Sequence, residues 1–272
     1  MSHPLFTLVF LTLVLVATAA RPNPTTPRLP SPLVIDYQLG GAYPPPAGVT
    51  ALVRDHTSHP EPGYFNICHF DGYQIPARAS WPADLLLHAP DGTPLTDPEW
   101  PHDYLLDIST GEARARNLLL VLPMLLTCIH KGFSAIEFDN IDSYRHSLGK
   151  LTLKDSGTYG KLLTGVAHGN GLAAGQKNTA EFGRYGRDKV GFDFAIVEGC
   201  YLWHTCDAFT RTYGLNVIAI EFADDLRGTL AEVCADPDRP ATLLVRDRMF
   251  TPAGHIDHVY QHCPVPAHDP SN

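Results

Sequence analysis

Nine short runs, rich in β-branched residues and apolar at nearly every position, recur along this chain at 33–37, 49–54, 64–69, 104–108, 135–138, 172–175, 194–197, 217–222 and 243–246. A strand that is apolar on both faces needs cover on both faces, which helices packed around a parallel sheet provide. Helical spacing appears between several runs: 114–131, stopped by Gly132; 155–170, ending at Gly171; 206–213, ending at Gly214; and 226–233. Strand and helix alternating over about 250 residues define an α/β chain. A doubly wound sheet would carry a glycine-rich phosphate loop after an early strand, whereas Gly169-Asn-Gly171 precedes one. The expected fold is a single (β/α)8 TIM-like barrel. Nine runs leave one extra strand outside the ring, either 104–108 or one of the first three.

Residues 1–20 read as a signal peptide. The apolar stretch 5–16 has the length of an h-region, and Ala17-Thr-Ala19 offers small residues for cleavage. It is shorter than a membrane span. The Pro-rich stretch 21–32 reads as a linker, and 33–272 as the barrel domain, long enough to bury nearly three quarters of its unfolded surface. The formal charge of −9, from 20 basic against 29 acidic residues, disfavours nucleic acid. It suits a neutral or cationic partner, or plain solubility. A secreted monomer with no membrane attachment after cleavage is expected.

Six cysteines in an exported chain, with no C-x-x-C, argue for disulfides. Cys200 and Cys206 are near enough to staple the loop that begins at Glu198. Cys234 and Cys263 could tie the tail to the last helix, leaving Cys68 with Cys128; other connectivities remain open at this point.

In a parallel barrel the chemistry lies where strands end. The run at 135–138 leads into Asp139, Asn140 and Asp142, and that at 194–197 into Glu198. Glycoside cleavage needs one carboxyl to protonate the leaving group and one carboxylate to attack or to activate water. Asp139 and Glu198 are the candidate pair. Other strand ends supply Asp36, Tyr37, Gln38 and Tyr43; Gln176, Lys177 and Asn178; Glu221; and Arg246. Carboxylates, amides and tyrosines in this mixture bind sugars, so these residues, with Asn140 and Asp142, form the expected substrate-binding set. Lys177 reads as a donor to substrate or a charge partner for Asp139. Glu221 is a substrate ligand or an alternative acid. Tyr37, Tyr43, Tyr73 and Trp203 are candidate sugar platforms. His69 and Asp71 also end a strand, while Glu137 reads as structural.

Other chemistries fit less well. No H-E-x-x-H or G-x-S-x-G occurs, and His255, His258 and His262 lie in what reads as a polar tail, so no metal site is expected.

These stretches, taken together, resemble the endo-α-1,4-polygalactosaminidase family, glycoside hydrolase family 114. The resemblance rests on Asp36-Tyr-Gln-Leu-Gly-Gly-Ala-Tyr-Pro-Pro-Pro46, Tyr64-Phe-Asn-Ile-Cys68, Leu106-Asp-Ile-Ser109 and Gly132-Phe-Ser-Ala-Ile-Glu-Phe-Asp-Asn-Ile-Asp142. Further on it rests on Gly171-Leu-Ala-Ala-Gly-Gln-Lys-Asn178, Gly191-Phe-Asp-Phe-Ala-Ile-Val-Glu198 and Arg246-Asp-Arg248. It implies a TIM-like barrel, secretion, no required cofactor, and hydrolysis of α-1,4-linked galactosamine polymers at Asp139 and Glu198. The chain departs from the family in having Phe138 where proline is common, and Gly199 where a second acid is expected. The alternatives are a non-catalytic carbohydrate-binding barrel and a glycosidase for another polysaccharide.

Overall fold

The computed structural model describes residues 27–265. Residues 1–20, and 21–26 of the Pro-rich stretch, lie outside the described residues. The elements, in chain order, are β1 (Ile35–Tyr37), β2 (Ala51–Asp55), β3 (Phe65–Asp71), β4 (Gln74–Pro76), β5 (Asp103–Leu105), α1 (Gly111–Lys131), β6 (Ala135–Asp139), α2 (Leu153–Gly169), β7 (Ala173–Lys177), α3 (Gly183–Tyr185), β8 (Phe194–Glu198), α4 (Cys206–Tyr213), β9 (Val217–Phe222), α5 (Leu230–Ala235), β10 (Thr242–Arg246) and β11 (Tyr260–His262).

The main sheet runs β1-β2-β3-β6-β7-β8-β9-β10-β11. Its first eight strands are parallel, and β11 pairs antiparallel with β10. The expected TIM-like barrel is therefore present. The run at 104–108 is the one outside the ring, because β5 pairs with β4 in a separate hairpin within the β3–α1 insertion. Part of the polar surface tail holding the three histidines forms β11, whose backbone groups find partners on β10. Nor is the segment at 226–233 helical throughout; α5 starts at Leu230, where Thr229 and Glu232 form a reciprocal capping box.

Strand periodicity sorts the apolar runs into two layers. Ile35, Tyr37, Val53, Ile67, Ala135, Ala173, Phe194, Ile196, Ile218, Ile220 and Leu244 pack together inside the barrel, with Phe250. The alternate positions, among them Cys68, Phe138, Ala174, Val197 and Val245, pack outward. Helix α1 meets this outer layer with Ala113, Asn117, Val121, Leu125 and Cys128, spaced along one face. Thr110 caps its start by accepting from the Ala113 amide, and left-handed Gly132 (φ 87°) ends it. Burying each large aliphatic side chain stabilises the fold by about 1.5–3 kcal/mol. Gly175 is required by the interior packing, since a Cβ there would stand 2.5 Å from the Phe194 ring.

The ends of the ribbon meet at a seam. Thr242 Oγ1 donates to the Leu33 carbonyl (3.0 Å), the Tyr260 hydroxyl to the Ile35 carbonyl (3.2 Å), and Arg246 to Asp36 Oδ1 (2.7 Å). Three disulfides reinforce the shell: Cys68–Cys128 joins β3 to α1, Cys200–Cys206 closes the loop after β8, and Cys234–Cys263 ties α5 to the residue after β11.

Candidate active site

Inward parity carries a set of polar side chains to the C-terminal mouth. On β6, Ala135 faces inward, so Glu137 and Asp139 do as well; on β7 the same parity brings Lys177, on β8 Glu198, and on β3 His69 and Asp71.

Lys177 is the centre of this group. Its Nζ lies 3.2 Å from Asp139 Oδ2, 3.2 Å from Glu137 Oε1 and 3.5 Å from Glu198 Oε1, and it donates to the Tyr37 hydroxyl at 3.1 Å. The lysine is only 3% exposed and Glu137 not at all, whereas Asp139 and Glu198 keep 20% and 26% of their side-chain surface open. The mouth thus has a buried floor of Tyr37, Glu137 and Lys177, with two accessible carboxylates above it. Tyr37 is closed off beneath, its hydroxyl donating to both Glu137 oxygens at 2.8 and 2.9 Å.

Asp139 is fixed from three directions. His69 Nε2 lies 2.9 Å from its Oδ2, and the Asn140 amide donates to Oδ1 at 2.7 Å. Burial by itself would raise this carboxyl, but Lys177, His69 and the Asn140 amide outweigh it and hold Asp139 well below the usual carboxylate range. Burial would likewise lower Lys177, and the surrounding carboxylates reverse that, keeping the ammonium charged. Glu137 is raised by burial against the pull of Lys177. Asp71 is pushed up to about 7, by burial first and by the Asp139 charge second, although Asn140 Nδ2 donates to it at 2.8 Å.

Two residues with left-handed backbone position their neighbours. Asn140 (φ 56°) turns the chain so that its amide reaches Asp139 and its side chain reaches Asp71. Asn178 (φ 48°) accepts the Glu198 amide on Oδ1 at 2.8 Å, tying the ends of β7 and β8 together. Asp142 stands partly exposed at the rim, 3.7 Å from Arg145, and burial raises its carboxyl.

The structure does not bring the rest of the expected substrate set into the mouth. Asp36, Gln38, Tyr43 and Arg246 are buried in a network at the β1–β10 seam. Arg246 Nη1 donates to Asp36 Oδ1 at 2.7 Å and to the Tyr43 hydroxyl at 3.3 Å, and Gln38 bridges Asp36 (2.9 Å) and Arg54 (2.9 Å). Gln176 has outward parity: Tyr213 of α4 donates to its Oε1 at 2.6 Å, and its Nε2 holds the carbonyls of Asn178 and Thr179. Glu221 also faces outward, where it accepts the amides of Tyr201 (2.8 Å) and Leu202 (3.4 Å) and anchors the loop after Glu198. Tyr73 is core, its hydroxyl on the Ser156 carbonyl at 3.1 Å. His69, Asp71 and Glu137 are in the mouth but outside the expected set. Strand parity was the signal for them, since all three share the inward parity of Asp139: across the β3–β6 pairing Asp71 lies opposite Asp139, and His69 opposite Glu137.

A parallel eight-stranded barrel with polar and acidic side chains gathered at its C-terminal mouth has the architecture of a barrel enzyme. The sequence pattern of Glycoside-hydrolase family GH114 matches residues 16–267, and the chain belongs to that family of glycoside hydrolases. Among solved structures it is similar to Aspergillus fumigatus Ega3 in complex with galactosamine, at 18% identity and a TM-score of 0.66, covering 90% of this chain and 99% of Ega3. It is also similar to the glycoside hydrolase domain of PelA from Pseudomonas aeruginosa, at 15% identity and a TM-score of 0.56, covering 82% of this chain and 97% of that domain. Among curated proteins, none matches this chain.

Proposed function

We propose that this chain is a secreted hydrolase of α-1,4-linked galactosamine polymers, with Asp139 as nucleophile and Glu198 as general acid and base. The observation that carries this reading is the lysine shared by two accessible carboxylates. Lys177 and His69 keep Asp139 ionised, which a nucleophile requires. An Asp139 oxygen attacks the anomeric carbon as the glycosidic bond breaks, and the leaving oxygen takes its proton from Glu198. Glu198 then removes a proton from water, the water oxygen attacks the same carbon, and Asp139 is released.

Retention of configuration follows from this assignment. Retaining enzymes hold their carboxyls about 5–5.5 Å apart and inverting ones about 6.5–9.5 Å apart. Contact with one ammonium at 3.2 and 3.5 Å favours the shorter spacing. The choice of polymer is supported by the galactosamine bound to Ega3 and by the net charge of −9, which suits a polycation. Secretion is supported by the apolar stretch at 5–16 and by three disulfides.

The test is mass spectrometry of products from purified protein and α-1,4-galactosaminan, with Asp139→Asn and Glu198→Gln alongside. Internal cutting yields a ladder of oligomers from the wild type and none from either variant. Wild-type activity in Asp139→Asn would remove that residue from the mechanism.

A further inference from the structure

The loop after Glu198 is held far more firmly than a surface turn requires. The Gly199 amide donates to the Ile220 carbonyl at 2.8 Å, the Trp203 amide to the Gly199 carbonyl at 3.0 Å, and the Thr205 amide to the Cys200 carbonyl at 2.9 Å. The Cys200–Cys206 disulfide closes the loop, and both cysteines are buried. Beneath it the buried Glu221 carboxylate accepts the amides of Tyr201 and Leu202. This scaffold presents an indole to solvent: Trp203 is 67% exposed.

The indole also sits against the backbone of the residue that follows Glu198. Gly199 has φ +64°, and a Cβ on it would lie 3.2 Å from Trp203 Cδ1 and 3.3 Å from Nε1. The ring is therefore in contact range of the backbone at Gly199, whose Cα is about 3.8 Å from that of Glu198. Exposing a large aromatic ring costs solubility, and fixing its loop by a disulfide, a buried carboxylate and a left-handed glycine makes sense when the ring meets something flat. A pyranose offers an apolar face, and a galactosamine unit with a free amine adds a cation. An ammonium over an indole is attracted by the ring quadrupole, most strongly for tryptophan among the aromatics.

From this placement we infer that Trp203 is a specificity-determining subsite, stacking a sugar unit of the polymer next to the bond being cut and favouring units that carry a free ammonium. Because Trp203 sits on the loop that follows Glu198, the general acid of the proposed mechanism, the stacked unit belongs to the leaving-group side. The inference rests on the glycosidase reading. Trp203 acts by binding and donates no proton.

The experiment compares wild type, Trp203→Ala and Trp203→Phe on α-1,4-galactosamine oligomers, fully de-N-acetylated and fully N-acetylated. For the de-N-acetylated oligomers, KM rises about 3- to 30-fold in Trp203→Ala, the range of cation–aromatic contacts. Most of that loss is recovered in Trp203→Phe. The effect falls on KM rather than on kcat and is smaller for the N-acetylated series. Tryptophan emission of Glu198→Gln, titrated with the same oligomers, shifts with Trp203 present and not in the Glu198→Gln/Trp203→Phe double variant.

Kinetic constants within twofold of wild type in Trp203→Ala would overturn the inference while leaving the glycosidase reading intact. So would a loss confined to kcat, which would mean that the indole supports Glu198 and does not hold sugar. An inactive wild type would count against the glycosidase reading. The emission titration would then decide the subsite by itself, and no Trp203-dependent change would refute it.

Discussion

Glu137 and Lys177 form an ion pair 3.2 Å apart in which neither side chain is more than 3% exposed. The same ammonium touches Asp139 and Glu198, so one cation neutralises the floor and orients the accessible carboxylates above it. A pair buried to this depth is costly to break from one side, because the remaining charge has no water to turn to.

Lys177→Met is therefore expected to lose about 3–5 kcal/mol of stability at neutral pH. In the wild type the depressed Asp139 carboxyl contributes stability that is present above the ordinary carboxylate range and lost as pH falls through its folded value. The variant lacks the cation behind that contribution, so its deficit shrinks as pH falls and the carboxyls take up protons. Denaturant melts from about pH 2 to about pH 8 check this, a window that spans the ordinary carboxylate range; a deficit constant with pH would mean that only packing was lost.

Glu198→Gln is expected to slow polymer hydrolysis by roughly 10²–10⁴-fold, the usual worth of a positioned acid. Substrates with a good leaving group, which need little protonation, should suffer less in the glycosylation step. Asp139→Asn should be equally slow with both. Single-turnover rates on an oligomer and on an activated aryl glycoside make the comparison, and an identical pattern in the two variants would undo the assignment of roles.

Asp71 gives a pH dependence of opposite sign to that of Asp139. Burial and the neighbouring Asp139 charge push it up to about 7, so between about 4 and about 7 the folded chain keeps a proton that the unfolded chain has already released. Stability contributed by this group is full at acid pH and falls as pH rises from about 4 to about 7, by up to about 2–4 kcal/mol. Asp71→Asn should flatten that part of the stability profile. Melting temperatures across the window test it, and a slope unchanged in the variant would show that another group is responsible.

Arg246 was expected to meet substrate, and the seam gives it other work. With Asp36, Tyr43 and the carbonyls of Tyr37 and Thr251 around it, the guanidinium is fully buried and held within the seam. Arg246→Met should destabilise the barrel by about 3–5 kcal/mol and leave the KM of the folded fraction unaltered. A large rise in KM in protein shown by circular dichroism to be folded would restore Arg246 to the binding site.

The barrel was legible because continuous apolar runs have few other homes, and because Gly132 marks the end of α1 in the sequence itself. The mouth was harder to read. Asp139 and Glu198 stand out as acids at the ends of apolar strands, but Glu137 lies inside a strand, and its meaning depends on the Lys177 that crosses to it from β7. Glu221 ends a strand just as Glu198 does, yet Glu198 shares the inward parity of Ile196 whereas Glu221 alternates with inward-facing Ile220. Asp36, Gln38 and Arg246 were drawn towards the substrate by residue type and by their place at strand ends. Only the meeting of the first and last parallel strands shows that they satisfy one another.

That meeting also governs how the chain can be made. The contacts across the seam join residues separated by 209, 210 and 225 positions, and the outer edge of β1 is covered only once β10 and β11 have arrived. Contacts so distant in sequence form late and slowly. A ribosome or an export channel releasing the N-terminus first would deliver most of the chain as an open ribbon with an unprotected strand edge, the form most apt to stick to another copy of itself. Loss of the final thirty or so residues should therefore show itself as aggregation during synthesis, before any weakness in a finished barrel could be measured.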